Sequence, residues 1–232
     1  YKGKPVPFLF NPMFFSLEEE EYFEDIINWI TAIGNKVTDR FIVDPEYRKS
    51  FGYPRFIEDM ILRENKYGIH APIGRFDIFF NDIGDYKFCE LNTDGSSAMN
   101  EDNTLARILL GSKALKEFGE EYSLENRELI DSWVRESLKL YRRWKGRDHD
   151  PNVAIVDFTE SGTSAEFIEF QNAYKRLGLK CIIADPRELV FREGSLFKED
   201  YKIDLIYRRI VTFELIQKAE EIPDFIEAYM AD

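Results

Sequence analysis

Apolar positions in the first part of the chain recur with the spacing of amphipathic helices. Ser16 and Glu19 form a capping box that begins the first helix, and we expect this helix to end near Gly34. Its apolar residues fall three and four positions apart, which predicts one buried face. That face comprises Phe23, Ile26, Ile27 and Ile30. Further helices are predicted at 55–66, 102–118 and 123–144, with a short helix starting at Pro45.

The pattern changes after residue 151, where short apolar runs alternate with a helical segment. The runs NVAIVDF, LKCIIAD and IDLIYRRI are predicted to be buried strands. A helix over 164–177 separates the first two runs, and strands that alternate with a helix favour a parallel sheet. A small hairpin is expected at Glu193-Gly194-Ser195, and residues 213–229 are predicted to be helical with a break at Pro223.

These elements predict an α/β (α+β) protein built in three parts. Residues 1–145 are expected to place helices around a sheet that contains an antiparallel hairpin. The polar segment 145–151 is a candidate linker. Residues 152–211 are expected to form a small parallel α/β unit, and residues 212–232 a helical segment.

Composition narrows the classes of function. The 232 residues are 44% hydrophobic, enough for a packed core, and their net charge is -13. No basic run is present, which argues against nucleic acid as a partner. No apolar run approaches about 18 residues and no signal peptide is recognisable, so we expect a cytoplasmic protein without a membrane partner. Cys89 and Cys181 form neither a disulfide framework nor a zinc pattern.

The segment 75–101 carries most of the candidate chemistry. It contains two bulky, apolar strands joined by a tight turn, followed by a polar loop. The strands nevertheless carry Arg75, Asp77, Glu90 and Asn92. Charged groups on strands suited to burial are costly unless they are paired or bound to a ligand. This hairpin is therefore predicted to be the centre of a site.

The register of the hairpin decides whether these polar groups meet, because a slip of one residue moves a whole set to the other face. We expect a four-residue turn at 82–85. The resulting register pairs Asn81 with Tyr86, Asp77 with Glu90 and Arg75 with Asn92. Phe88 would then share a face with Glu90, and Cys89 would point to the other face as a core thiol.

Two carboxylates that face each other are unfavourable without a cation between them. Asp77 and Glu90, with the amide oxygen of Asn92, are hard ligands suited to Mg²⁺. Arg75 beside them is suited to hold a phosphate or a developing anion. The alternative is an Arg–Asp or Arg–Glu ion pair buried at a sheet edge, with Asn92 only turning the chain.

The loop after the hairpin is dense in short hydrogen-bonding groups. Asp94, Ser96 and Ser97 are suited to grip a carboxylate or an amide, although the same residue types favour an ordinary turn. A weaker candidate for an anion is the strand-to-helix turn at 157–163, which lacks Walker or GxGxxG spacing.

These residues resemble the circularly permuted ATP-grasp ligases, in particular the glutathionylspermidine synthetases, and more distantly the eukaryotic-type glutathione synthetases. The motif is Arg75-Phe76-Asp77, then Glu90-Leu91-Asn92, then Asp94, Ser97 and Glu101. A weaker likeness covers 153–211. There Ile206-Tyr207-Arg208-Arg209 is similar to a strand that ends in a substrate-binding arginine, best matched to Arg209; the alternative is a solvated strand end.

The resemblance implies an ATP-dependent C–N ligase that joins a small peptide or amino-acid carboxylate to an amine through an acyl phosphate. It implies that Asp77, Glu90 and Asn92 bind Mg²⁺ at the phosphates of ATP, and that Arg75 contacts those phosphates and assists phosphoryl transfer. The substrate-binding residues would be Asp94, Ser96, Ser97, Glu101 and Arg209. Gly95 stands where both relatives have serine, which predicts altered substrate contacts.

The resemblance also implies a later segment whose lysines and acidic residues hold the nucleotide, and this sequence lacks it. The chain begins at Tyr1 and stops at Asp232 directly after a helical pattern, so we expect a fragment. Residues 212–232 would begin the missing ATP-grasp segment, the ATP site would lie largely outside the chain, and the chain alone would be inactive.

Two other functions remain open. A non-catalytic binding module derived from the same fold would keep the substrate pocket without turnover. A metal-dependent nuclease is less favoured: Asp77 followed by Glu90-Leu91-Asn92 approaches a D…E-x-K core, but the lysine is replaced by asparagine and the chain is acidic.

Overall fold

The computed structural model describes residues 7–146, 149–161 and 164–231. Helices surround a two-stranded antiparallel hairpin and pack on a three-stranded parallel sheet, with a second antiparallel sheet beside it. The predicted mixed α/β fold class is therefore confirmed. Among the helices in these ranges, none is long and apolar enough to cross a membrane.

The helices of the first part flank the hairpin in sequence. They are α1 Leu17–Val43, α2 Pro45–Arg48, α3 Arg55–Ile61, α4 Met99–Leu110, α5 Lys113–Phe118 and α6 Ile130–Lys145. The predicted capping box of α1 is present, because the Ser16 hydroxyl accepts from the Glu19 N–H at 3.2 Å and the Glu19 carboxylate accepts from the Ser16 N–H at 2.7 Å. The short helix at Pro45 is also confirmed.

The predicted end of α1 is wrong, and its predicted buried face is confirmed only in part. The helix passes through Gly34 and ends at Val43, because Gly34 does not adopt the left-handed conformation with which glycine terminates a helix. Along the predicted stripe only Ile26 is fully buried, and Ile27 is 40% exposed. A long stretch of α1 therefore has few tertiary contacts.

Two helix boundaries further along also differ from the prediction. The segment 102–118 is divided at Gly111, and the hydroxyl of Ser112 accepts from the Leu115 N–H to begin α5. The helix expected from Ser123 starts at Ile130, where the Glu128 carboxylate accepts from the first N–H groups of α6. Glutamate rarely caps the start of a helix, so the sequence pattern predicted a start at Ser123 and not after Glu128.

The hairpin consists of β1 Arg75–Asp82 and β2 Asp85–Asn92. One of its faces packs against α1. The ring of Phe80 lies 4.7 Å from that of Phe23, and the ring of Tyr86 lies 5.9 Å from that of Tyr22. The opposite face of the hairpin carries the polar residues.

The second part contains the remaining strands and helices. In chain order they are β3 Val153–Val156, α7 Ser164–Arg176, β4 Cys181–Ala184, β5 Val190–Arg192, β6 Ser195–Lys198, β7 Tyr201–Ile203, β8 Leu205–Arg208, α8 Thr212–Gln217 and α9 Pro223–Ala231. Strands β4, β3 and β8 form the predicted parallel sheet in that order. Strand β7 extends the predicted small hairpin β5–β6 to a third strand.

Both faces of the parallel sheet are covered, as expected for parallel strands. Alternate residues of β3 belong to different hydrophobic clusters: Ala154 to one and Ile155 to the other. The first cluster includes Ile57 of α3 and Phe225 of α9, and the second includes Val134 of α6. Both clusters thus combine residues that precede the predicted linker 145–151 with residues that follow it. Residues 147–148 of this linker lie outside the described residues.

Candidate functional site

The cross-strand register brings the four polar residues of the hairpin together. Asp77 pairs with Glu90 and Arg75 pairs with Asn92, which confirms the predicted register at this end. The prediction is wrong at the other end. Phe80, not Asn81, pairs with Tyr86, and the loop is the two residues Ile83-Gly84 between Asp82 and Asp85.

Two compensating register shifts reconcile the two ends of the hairpin, one at Cys89 in β2 and one at Asn81 in β1. Asp77 pairs with Glu90 but Ile78 pairs with Phe88, so Cys89 is an extra residue without a partner on β1. The bulge shifts the alternation of β2, so Lys87 rather than Phe88 shares the face of Glu90. Cys89 is exposed, and the expected core thiol is therefore also wrong.

Arg75 is the centre of the charge arrangement. Its Nε donates to Asp77 Oδ1 at 2.8 Å and its Nη2 donates to Asp77 Oδ2 at 3.2 Å, a bidentate pair. The same Nη2 lies 3.6 Å from Glu90 Oε1, which also accepts from Asn92 Nδ2 at 2.9 Å. The side chains of Arg75 and Asp77 are 40% and 38% exposed. The ion pair thus exists but is not buried.

The guanidinium changes the titration of its partner. Hydrogen bonding to Arg75 holds the pKa of Asp77 below its ordinary value, and the same contact raises the pKa of Arg75. Asp77 is therefore ionised at neutral pH even though Glu90 lies opposite. Arg75 takes the place that a cation would otherwise have to fill between the two carboxylates.

The side-chain oxygens of Asp77, Glu90 and Asn92 are suitable ligands for a hard divalent cation. Several of these oxygens, however, already accept hydrogen bonds from Arg75 and Asn92. Two carboxylates and one amide supply only oxygen ligands, as Mg²⁺ prefers. Both oxygens of Asp77 accept from Arg75, whereas Glu90 Oε2 and Asn92 Oδ1 take no part in the bonds described above. Within the described ranges, no group of three or more His, Cys, Asp and Glu side chains is placed to hold a metal. Mg²⁺ binding at this site would therefore require Arg75 to release one oxygen of Asp77.

The loop after β2 runs from the hairpin to the carboxyl end of the parallel sheet. Asp94 accepts from Arg208 Nη2 at 2.9 Å and from the Thr212 N–H at 2.6 Å. The Ser96 hydroxyl donates to the Asn92 carbonyl at 2.6 Å, and the Ser97 carbonyl accepts from Arg75 Nη1 at 3.3 Å. These bonds fix the loop on both sides, so the predicted substrate-binding loop is rigidly held beside Arg75.

Gly95 allows the loop to approach the sheet closely. Its φ is +74°, and a Cβ at this position would lie 3.0 Å from the Arg209 carbonyl oxygen and 3.1 Å from Val211 Cγ1. Glycine at this position is thus required by backbone geometry and by the lack of space. A serine would not fit without a shift of the loop.

Arg209 is buried, with its side chain only 4% exposed, which excludes the alternative of a solvated strand end. It donates to Glu166 Oε1 at 2.8 Å, to the Tyr207 hydroxyl at 2.8 Å and to the Ser96 carbonyl. Its Nε has no hydrogen-bond partner within the described part of the chain. Arg209 therefore holds the loop from beneath, and its predicted contact with substrate remains a prediction.

Glu166 was not among the predicted site residues. Its carboxylate pairs with Arg209 and also accepts from the Met99 N–H at 2.9 Å and the Asn100 N–H at 3.3 Å, at the start of α4. The sequence signal was only an acidic residue in the first turn of α7, a position usually explained by helix electrostatics. Glu101 lies in the same turn of α4, and its Oε2 is buried with no partner among the described residues.

A second polar cluster lies at the carboxyl end of β3, where the anion-binding turn 157–163 was predicted; residues 162–163 lie outside the described residues. Burial raises the pKa of Asp157 to about 6. Nearby, Lys218 Nζ pairs with Glu160 at 2.9 Å, and Arg187 pairs with Asp185 at 2.6 Å. The positive groups of this cluster are engaged by carboxylates, which does not favour an anion there.

Comparison with known proteins adds no assignment. No protein-family model matches the chain. No curated protein matches it at a significant level. The resemblance to ATP-grasp ligases therefore rests on the residues named above.

Proposed function

We propose that this chain forms part of an ATP-dependent carboxylate–amine ligase of the ATP-grasp type, similar to the glutathionylspermidine synthetases. The observation that carries the proposal is the pairing of Asp77 with Glu90 and of Arg75 with Asn92 on one exposed face of the hairpin. The rigid loop at Asp94–Ser97 lies directly beside this face. A phosphate group and a carboxylate substrate could thus be held next to each other.

The proposed reaction has two steps. An oxygen of the substrate carboxylate attacks the terminal phosphorus of ATP and ADP leaves; the amine nitrogen then attacks the acyl carbon, phosphate leaves, and the amine loses a proton. When bound by Asp77, Glu90 and Asn92, Mg²⁺ would neutralise phosphate charge. Arg75 donates to the oxygens of the transferring phosphoryl group, where negative charge is concentrated. The buried Arg209 positions the loop that would hold the acid.

One observation favours a second candidate, a non-catalytic binding module. Both oxygens of Asp77 are occupied by Arg75, so the cluster is electrostatically satisfied without a metal or nucleotide. In that case the loop would bind a carboxylate or amide ligand and the hairpin would only support the loop. The predicted cytoplasmic location is compatible with either function and stays a prediction.

Turnover separates the two candidates. Phosphate release by the full-length protein should require ATP, Mg²⁺, a peptide or amino-acid carboxylate, and an amine together. Asp77→Ala should abolish this release, whereas Asp82→Ala, a matched change at the turn end of the same strand, should retain it. Tight Mg-ATP binding without phosphate release for any pair of acid and amine would contradict the ligase and favour the binding module.

A further inference from the structure

Strand β4 lies at one end of the parallel sheet β4-β3-β8, and in the described part of the chain no strand pairs with its outer edge. The Lys180 and Ala184 carbonyls accept hydrogen bonds from N–H groups of β3 and of the residue that follows it. Backbone groups of successive residues point to opposite sides of a strand. The N–H and C=O groups of Cys181 and Ile183 therefore point outward, away from β3.

A groove of about 360 Å³ lies along this edge of β4. Helix α7 forms one wall of the groove and the β6–β7 hairpin forms the other. The lining residues are Gln171, Ile182, Ile183, Lys198, Glu199 and Tyr201. Strand β4 has no charged residue and no proline, and its pairing with β3 has no bulge, so it lacks the features that usually protect a free edge. An edge of this kind is suited to pair with a further strand.

The position of α7 favours a second copy of this chain as the source of that strand. Helix α7 packs on β3 and β4 together. Because neighbouring strands are about 4.8 Å apart, a helix centred between them lies about 2.4 Å inside β4. If a second β4 pairs antiparallel with the first about a two-fold axis perpendicular to the sheet, the two α7 helices lie on the same face, about 10 Å apart. Helices pack against each other at about 8–10 Å, so the second copy would fill the space beside α7.

The side of α7 that borders the groove carries an exposed apolar residue. Ile168 and Lys175 lie three residues before and four residues after Gln171, so the three share one side of the helix. Ile168 is 49% exposed. In an antiparallel pair of α7 helices centred near Gln171, Ile168 of each copy would lie against the aliphatic stem of Lys175 of the other.

The opposite face of the β4 edge is complementary in charge to an inverted copy of itself. Ile182 packs on the cluster that includes Leu196 of β6, and Lys180 shares the face of Ile182 because side chains alternate along a strand. Lys180 and Glu199 are exposed, and neither has an ion pair among the described residues. The inverted copy would bring its Lys180 to the side of the edge where Glu199 lines the groove, and the two-fold axis would repeat this contact.

We propose that the protein forms a homodimer in which β4 pairs antiparallel with β4 of a second copy. The outward N–H and C=O groups of Ile183 bond to the strand of the other copy, and the two parallel sheets become one continuous sheet. The α7 helices pack across the axis on one face, and Lys180 pairs with Glu199 of the other copy on the opposite face. The inference does not depend on the proposed ligase function, because it uses no residue of the β1–β2 hairpin.

Sedimentation equilibrium of the full-length protein tests the association. The wild type should approach twice the mass of one chain as its concentration rises. Ile168→Lys should raise the dissociation constant by about ten-fold or more, because it removes apolar burial and sets a second ammonium group beside Lys175 of the other copy. Ile33→Lys is the matched control: Ile33 is an isoleucine of α1 that is 54% exposed and lies away from the groove, so this variant should sediment as the wild type does.

Backbone hydrogen exchange, measured by mass spectrometry on a peptide that covers β4, locates the interface. The outward amide of Ile183 should exchange about ten-fold more slowly above the dissociation constant than below it, because it gains a hydrogen bond across the axis. Ile168→Lys should lose this slowing at the same concentrations. A wild type that is monomeric at every concentration would overturn the inference. A dimer in which β4 exchanges at the same rate at all concentrations, or which Ile168→Lys leaves unchanged, would overturn it as well.

Discussion

Asp77 lies opposite Glu90 across the β1–β2 pair, and the guanidinium of Arg75 contacts both carboxylates, at 2.8 Å and 3.6 Å. Two facing carboxylates would repel each other without such a cation. Arg75 therefore makes the arrangement stable in the absence of any ligand. The same guanidinium is the group that a phosphate would have to engage, so phosphate binding would require Arg75 to exchange its contact with Asp77 for one with a phosphate oxygen.

The titration of Asp77 reports on this contact. Its folded pKa is below the ordinary value because Arg75 donates to the carboxylate. The associated stability is present above the unfolded pKa and is lost as pH falls through the lower, folded pKa. NMR titration of the Asp77 carboxyl should give a pKa below 3.8 in the wild type and a higher one in Arg75→Gln. An identical pKa in the two proteins would show that the pairing does not form in solution.

The pKa of Asp157 is shifted in the opposite direction to that of Asp77, so ionisation of Asp157 should lower the stability of the protein. Burial raises its folded pKa from 3.8 to about 6, so the neutral form is favoured and its contribution to stability declines as pH rises between these values. The full shift would correspond to about 3 kcal/mol. Because the carboxyl is only half-buried, solvent screening reduces this, and Asp157→Asn should stabilise the protein by about 1 kcal/mol at pH 7.5. Urea unfolding at pH 7.5 and at pH 3.5 measures the difference, and an equal effect at both values would exclude an ionisation cause.

The buried pair of Arg209 and Glu166 should be sensitive to loss of one partner. Glu166→Ala leaves the Arg209 charge uncompensated in the interior and should destabilise the protein by about 3–5 kcal/mol in chemical denaturation. The double variant Glu166→Ala/Arg209→Met should lose less than the sum of the single changes. Arg55→Ala is the matched control, because its pair with Asp59 is at the surface and is worth no more than about 1 kcal/mol. Additive effects of the two buried changes would contradict the coupling.

Gly95→Ala tests the close approach of the loop to the sheet. The added Cβ would meet Arg209 and Val211 at 3.0 Å and 3.1 Å in a left-handed backbone, and we expect a loss of about 2–3 kcal/mol. Gly52 also has a positive φ, of +66°, but a Cβ there would meet nothing within 4 Å. Gly52→Ala should therefore report backbone strain alone, at about 1 kcal/mol. Equal losses in the two variants, measured by urea unfolding, would show that the contact with the sheet is unimportant.

The sequence predicted those features that depend on local pattern. Alternation along the strands, together with polar residues that had to meet, was sufficient for the pairing of Asp77 with Glu90. The bulge at Cys89 was not predictable in this way, because an extra residue carries no distinct pattern; it accompanies the packing of Tyr86 against Tyr22 of α1. Tertiary contacts likewise decide that Glu166 pairs with Arg209. The continuation of α1 through Gly34 shows that glycine ends a helix only where it adopts the left-handed conformation.

Magnesium-dependent ATP binding is the most direct measurement of the central claim, that Asp77, Glu90, Asn92 and Arg75 bind the phosphate end of a nucleotide. Calorimetric titration of the full-length protein with ATP should show binding in the presence of Mg²⁺ and its loss in EDTA. Asp77→Ala and Glu90→Ala should each abolish it, while Asp82→Ala, on the same hairpin, should bind as the wild type does. Retained Mg²⁺-dependent binding in Asp77→Ala and Glu90→Ala would contradict the account.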